Sequence, residues 1–361
     1  MKKIIFCLCL FFAFINSNEA QLQYSDTTWT LPPRQYEAVK TNDKIKIDGI
    51  DDEVAWQNVP KMYIDHTIVG SLGDNIHTAW CKMLWDDQNV YYFIHIDEPQ
   101  LWATMTQNES KLFLENAFEI FLDPDGDGQQ YIEYQTNALG TTWDLLMNKP
   151  YRNGGDFNSS YTIKNTKEAV KYYGTLNNDK DKDSCWTVEL AFPIHSIIGL
   201  DKIKSLQDKI WRMNLSRVQW TLTTDADGNY HKKLDADGKQ IPESYFTWSP
   251  QYAVNLHTPE KWGYVRFVDH LSKGNAPTFI HLDKEKRKDQ LWEIYYAQKK
   301  YQQQNGQLAK KITMLNLPNN TRAEDFKLTI NGKHFIIESS SKQFGVMRVN
   351  EDGLYQESNL Q

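Results

Sequence analysis

Between Lys44 and Val268 the chain is a series of short runs in which apolar and polar residues alternate. Turn-forming residues separate them. "TAWCKMLWD" and "DDQNVYYFIHIDEP" read as two strands joined across an Asp-Asp-Gln-Asn turn, and "NAFEIFLD" and "QQYIEYQTNALG" as a second pair. "TTWDLLMNKPY" continues that pair. "AVKYYGTL" and "CWTVELAFP" form another, across the polar "NNDKDKDS". "KIWRMNLSRVQW" and "WGYVRFVD" complete the series, and "DADGNYHKKLDADGKQ" reads as an exposed insertion. Many short strands and few helical patterns predict a mainly β fold, an antiparallel β-sandwich over residues 41–268.

The period changes beyond "SKGNAPTF". Residues 281–310 are helical in pattern, with Leu291, Ile294, Tyr295 and Ala297 through Tyr301 on one face and Gly306 as the stop. "FKLTINGKHFIIES" then signals a hairpin around Asn331-Gly332, and "FGVMRVNEDGLYQ" a further strand pair. Residues 281–361 are therefore expected to form a small α+β unit. At the other end, Lys2 and Lys3 precede the apolar run Ile4 to Ile15, which is too short to span a bilayer. This predicts a signal peptide over residues 1–20, cut near Ala20, and export to the periplasm or beyond. Cys7 and Cys9 lie inside the run rather than after it, which argues against a lipoprotein. Residues 21–40 read as an irregular lead-in. No later segment is long and apolar enough to cross a membrane.

The central strand pair carries the most informative alternation. Phe118, Ile120 and Leu122 point one way, while Glu119 and Phe121 point the other. Tyr131, Glu133, Gln135 and Asn137 share a face, so two neighbouring strands are expected to present Glu119, Glu133, Gln135 and Asn137 together. Such a row suits recognition of hydroxyl groups. It equally suits an ordinary solvated outer face. The loop between them, "DPDGDG", holds Asp123, Asp125 and Asp127 at alternate positions. An EF-hand fails here: its twelfth position is Tyr134 instead of Glu, and strand-like runs flank the loop. What remains is a tight hairpin turn, alone or with calcium as a candidate ion.

Composition narrows the classes. The formal net charge is −7 with no basic stripe, which argues against nucleic acid. The chain holds 12 Trp, 19 Tyr and 16 Phe, a bias suited to packed sheets and to stacking on sugar rings. Trp102, Trp143 and Tyr151 are candidate platforms, with core or rim packing as the alternative for each. Cys81 and Cys185 could pair or remain buried thiols. There is no G-x-S-x-G and no H-E-x-x-H, and His66, His77, His95 and His257 lack metal-ligand spacing.

Five segments in order, "IKIDGIDDEVAWQNVP", "MLWDDQNVYYFIHIDEP", "NAFEIFLDPDGDGQQYIEYQTNALG", "CWTVELAFP" and "PEKWGYVRF", resemble a family 9 carbohydrate-binding module. Such modules accompany xylanases, and the closer likeness is to exported single-module proteins of Bacteroidetes-type bacteria. The resemblance covers roughly residues 40–268. It implies a distorted β-sandwich, calcium in some members, and binding of sugars or glycan chain ends between two tryptophans. Carried over by position, it places Glu119 at the sugar-binding glutamate and Phe113 at the first clamp tryptophan. About Leu256 it places the second clamp, and Gln135 stands where the xylanase modules carry arginine. The glutamate is retained and the aromatic clamp is not.

The expectation is an exported, non-catalytic protein that binds glycan fragments or chain ends in polysaccharide catabolism. Its binding residues would be Glu119, Glu133, Gln135, Asn137, Phe113, Trp102 and Trp143, and its candidate metal ligands Asp123, Asp125 and Asp127. One alternative is a structural or interaction protein with a degenerate sugar site, docking to proteins of a polysaccharide-degrading system. Another is an O-glycosyl hydrolase using a carboxylate pair.

Overall fold

The computed structural model describes residues 32–68, 78–273, 277–318 and 321–359. The expected signal peptide and His77 lie outside the described residues. We label the main strands β1 (Gln35–Lys40), β2 (Ala79–Trp85), β3 (Asn89–Asp97), β4 (Ala117–Asp123) and β5 (Tyr131–Thr136). There follow β6 (Thr142–Met147), β7 (Lys167–Tyr173), β8 (Cys185–Pro193), β9 (Ile210–Gln219) and β10 (Gly263–Val268). They form one curled sheet in the order β7-β8-β3-β2-β1-β10-β9-β4-β5-β6.

The sheet folds over so that its halves face each other as two layers. Tyr134 of β5 packs edge-on against Phe192 of β8, ring centroids 4.9 Å apart. The Tyr92 hydroxyl of β3 meets the Met213 sulfur of β9 at 3.9 Å. Phe118, Ile120 and Leu122 turn into this core, as their alternation predicts. The pairing is antiparallel except at β1, which runs parallel to both β10 and β2. The expectation for residues 21–40 is corrected here: Gln35–Lys40 is a central strand. Tyr36 and Ala38 fill the core, while buried Glu37 accepts from Arg266 at 2.5 Å and from the Ser272 amide at 2.7 Å. Half of this strand's side-chain chemistry is thus a charged anchor, so it lacks a hydrophobic signature.

"KIKIDGIDDEVAW" also differs from its strand-like appearance. Residues 41–50 form no strand; they are strapped to the sheet by side chains of β8. Glu189 Oε2 accepts from the amides of Asp48 (2.9 Å) and Gly49 (3.1 Å), and Oε1 accepts from Trp56 Nε1 at 3.2 Å. Thr187 Oγ1 donates to the Gly49 carbonyl at 2.7 Å. Gly49 has φ +80°, and a Cβ there would sit 3.2 Å from Lys171, so glycine is required.

The C-terminal unit forms as expected. Helix α1 (Leu282–Asn305) ends at left-handed Gly306, and β11 (Lys327–Asn331), β12 (His334–Ser341), β13 (Gly345–Asn350) and β14 (Tyr355–Ser358) make an antiparallel sheet in sequence order. Leu291, Ile294 and Tyr295 pack on Phe335, Ile337, Met347 and Val349, a core separate from that of the sandwich. Cys81 and Cys185 are both free and buried. Among the described residues no helix is long and apolar enough to cross a membrane.

Candidate functional site

The outer face of β4, β5 and β6 is covered by its own apolar cluster. Loops rather than a second sheet supply the cover. The segment around residues 101–115 lies over one side, held by Glu115. Its Oε2 accepts from the Thr104 amide (2.8 Å) and hydroxyl (3.0 Å), and its Oε1 accepts from Asn137 Nδ2 at 2.6 Å. Residues 251–262 lie over the other side, anchored by Trp262. That indole packs on Phe121 and Tyr131 and donates to the Leu256 carbonyl at 3.0 Å.

A polar row lies between these covers. Glu119 and Gln135 are register partners across β4 and β5. Gln135 Nε2 donates to Glu119 Oε1 at 3.0 Å and to Glu133 Oε1 at 2.5 Å, while its Oε1 accepts from the Phe113 amide at 3.0 Å. One amide therefore joins two carboxyls and fixes the backbone that carries Phe113. The Phe113 carbonyl accepts from Trp220 Nε1 at 3.1 Å, so the segment is held from both sides. Half-buried Phe113, Tyr245, Leu256 and His257 and exposed Tyr151 surround the row.

The electrostatics of the row follow from burial. Burial, with help from the Glu133 charge, holds the Glu119 carboxyl well above the usual range. Burial likewise pushes Glu133 up to about 7, against the opposing hydrogen bond from Gln135. His257 lies with Nε2 3.5 Å from Glu133 Oε2 and Nδ1 3.0 Å from the Tyr131 hydroxyl. Burial, and then the Arg152 charge, lower its pKa to about 3. It is therefore neutral near pH 7 and gives Glu133 no counter-charge. Both amide hydrogens of Gln135 are taken by the two carboxyls, so what the row offers hydroxyl groups is carboxyl oxygens on a rigid sheet.

The expected residues divide. Glu119, Glu133 and Gln135 come together. Asn137 is on the same face, but its amide donates to the Met105 carbonyl and Glu115 and its Oδ1 accepts from the amides of Leu139 and Thr141. Its polar atoms hold loops. Trp143, paired with Gln135 in the ladder, is buried beneath Phe113 and Phe157 with ring centroids about 6 Å away, so it packs instead of forming an open platform. Trp102 is half-buried against the same cluster. Sequence reasoning considered His257 only as a metal ligand and did not single out Tyr245. His257 carries no local signature, since only the fold brings residue 257 beside residues 131 and 133.

Asp123, Asp125 and Asp127 converge, with one ligand atom from each within 4.8 Å of the others. The Asp123 oxygens accept from the amides of Gly126 (3.0 Å) and Gly128 (2.9 Å), which makes the tight turn. Burial and the neighbouring Asp125 raise Asp123 well above the usual range, and the same causes raise Asp127 to about 6. An oxygen-only set of mutually repelling carboxylates fits calcium chemistry. The turn has a second engagement: the Asp127 carbonyl accepts from the Tyr355 amide at 2.9 Å, and Gln129 Nε2 donates to the Asp352 carbonyl at 3.0 Å. It therefore docks the C-terminal unit.

Residues 47–270 match the family model described as carbohydrate family 9 binding domain-like. Among solved structures, a family 9 carbohydrate-binding module from Caldicellulosiruptor kristjanssonii in complex with cellotriose is 14% identical. It covers 68% of this chain and 100% of its own, with a TM-score of 0.41. The same organism's module in complex with glucose gives 14%, 68%, 100% and 0.40. A protein from Bacteroides uniformis ATCC 8492, proposed to bind carbohydrate, gives 13% identity over 65% of this chain and 99% of its own, with a TM-score of 0.47. At these values the family model, and not the structural likeness, carries the assignment. The search of curated proteins found no match.

Proposed function

This chain belongs to the carbohydrate family 9 binding domain-like family, and on that premise we propose that it is an exported, non-catalytic protein that binds glycan fragments or chain ends through the Glu119–Gln135–Glu133 row. The observation that carries this reading is the shared amide: Gln135 Nε2 holds both carboxyls at one place on the outer face, 3.0 and 2.5 Å away. A sugar presents a ring of hydroxyls and a small apolar face. The two carboxyls answer the first, and Phe113, Leu256 and Tyr151 answer the second with less flat area than paired tryptophans. Affinity is then modest, because little apolar surface is buried per sugar. Export is inferred from Lys2, Lys3 and the run Ile4 to Ile15, and a setting in polysaccharide catabolism, beside proteins of a degrading system, from the resemblance alone. Calcium held by Asp123, Asp125 and Asp127 would brace the turn between β4 and β5.

One observation favours a second reading, a family member whose site has become structural: Glu119 and Gln135 are each only 1% exposed. A glycan array with the mature protein, followed by titration with glucose and cellotriose, separates the two. Binding that disappears in Glu119→Ala, with the fold retained, supports the first. Silence across xylan, glucan, mannan and pectin fragments selects the second.

A further inference from the structure

One side of the rim of the polar row is made of two segments with no ladder of their own. One is the 3₁₀ turn Tyr151–Asn153, which carries the exposed Tyr151 ring. The other is the stretch at residues 255–260, which carries Leu256 and His257 and runs into the 3₁₀ turn Pro259–Lys261. The two meet where the Tyr151 and His257 rings stand edge to face, centroids 4.6 Å apart. Loops of this kind hold a fixed spacing only when side chains hold them.

Arg152 does so. Its side chain is 7% exposed. Nη1 donates to the His257 carbonyl at 2.8 Å, and Nη2 donates to Glu260 Oε2 at 2.8 Å. One guanidinium, rooted in the first rim segment, thus holds both ends of the second. Its outer side is closed by α1: the guanidinium carbon lies 6.0 Å from the Trp292 ring centre and 5.6 Å from that of Tyr296. The Tyr296 hydroxyl donates to the other Glu260 oxygen, Oε1. The neighbouring Tyr295 hydroxyl donates to Asn153 Oδ1 at 2.6 Å. The helix therefore grips each rim segment by its own tyrosine, with Arg152 between them.

We propose that the C-terminal unit is a positioning element of the sugar site, acting through Arg152 to set the spacing between the Tyr151 and Leu256–His257 sides of the rim. The proposal rests on the carbohydrate reading for its consequence, though not for its mechanics. A binder with modest apolar area depends on a rim that is already in place, since ordering it on binding would cost affinity. In this picture α1 supplies rigidity that a lone sandwich lacks, and displacement of the unit would open the site without touching Glu119 or Gln135.

The test uses the full mature chain with three variants, Tyr296→Phe, Arg152→Lys and Arg152→Met. Amide hydrogen exchange over residues 150–154 and 253–260 is measured beside calorimetric titration with cellotriose. Tyr296→Phe keeps the ring and loses only the hydroxyl, so it guards against a variant that does not fold. The expected result is exchange faster by about tenfold in both segments with the core of β4 and β5 unchanged, and cellotriose affinity lower by roughly fivefold in Tyr296→Phe and more in Arg152→Met. Partial recovery in Arg152→Lys supports the role of the bridging charge. Unchanged exchange in folded Tyr296→Phe and Arg152→Met overturns the inference. Faster exchange with undiminished cellotriose affinity overturns it too. A parent protein that binds no sugar, with variants that still loosen both segments, defeats the carbohydrate reading and upholds the mechanical coupling.

Discussion

Replacing Glu133 by Gln isolates one charge in the polar row. The carboxyl is 5% exposed, accepts from Gln135 at 2.5 Å, and has only neutral His257 at its other oxygen. Burial raises its pKa from the ordinary 4.5 to about 7. The folded protein thus binds this proton more tightly than the unfolded chain does. The resulting stabilisation is fully present below pH 4.5 and drains away as pH rises through about 7. At about 1.4 kcal/mol for each tenfold change in proton affinity, the loss by pH 8 is about 3 kcal/mol. Glutamine keeps the shape and an acceptor for Gln135 but cannot ionise. Glu133→Gln should therefore match the parent near pH 4.5 and exceed it by about 3 kcal/mol at pH 8. Removing the charge also eases ionisation of Glu119, which acts in the same direction. Urea unfolding at several pH values reads the difference. Glu168 and Glu189, each raised to about 7 by burial, tilt the parent's own pH profile, so the variant-minus-parent difference is the quantity to follow. A difference that stays constant across the range would refute the assignment of a buried, raised carboxyl at this position.

Three further outcomes follow from other parts of the molecule. Glu189→Ala removes the acceptor of two backbone amides and the Trp56 indole, and should cost about 3 kcal/mol in urea unfolding; a cost under about 1 kcal/mol would mean that the strap over residues 44–56 is dispensable. If calcium fills the Asp123–Asp125–Asp127 turn, chelator should lower the melting point and Asp125→Asn should abolish that difference. Occupancy at a hundred times the Kd is worth about 2.7 kcal/mol, and no shift at millimolar calcium rejects the site. Gly128→Ala forces a side chain on a backbone with φ +81° and a Cβ 3.2 Å from the Gly353 carbonyl oxygen. It should destabilise by about 1–2 kcal/mol and speed amide hydrogen exchange over residues 352–355; exchange unchanged from the parent would show that the docking contact tolerates it.

The alternation of Phe118, Ile120 and Leu122 against Glu119 and Phe121 was enough to place every one of these residues on its proper layer, because period 2 is a property of the strand itself. The same reasoning brought Glu119, Glu133 and Gln135 to one face. It could not tell that face's fate. An outer face of Tyr131, Glu133, Gln135 and Asn137 reads equally as a recognition row or as a solvated face, yet all four are buried, since loops from residues 101–115 and 251–262 close over it. Loop cover depends on long-range anchors such as Glu115 and Trp262, and these leave no periodic trace. β1 escaped notice for a related reason: a six-residue central strand whose one outward carboxylate pairs with Arg266, 229 positions away, lacks the apolar run that marks a buried strand.

The motifs that carry the family resemblance mostly serve the scaffold. Trp56 and Gly49 are held by Glu189, Trp262 anchors residue 256, and the aspartate turn seats Tyr355 and Asp352 of the C-terminal unit. A scaffold preserved at these points keeps β4 and β5 side by side whatever stands on their outer face. The rim is freer to differ, since Phe113, Leu256 and Tyr151 are placed by their backbones and by neighbours such as Gln135 and Arg152 rather than by the sandwich core. Specificity in this chain is therefore expected to reside in loop residues and their supports. The support furthest from the polar row, α1 with Tyr295 and Tyr296, is the one that lies beyond the residues matched to the family. That separation makes the C-terminal unit the place where the proposed binding can diverge while Glu119 stays in its row.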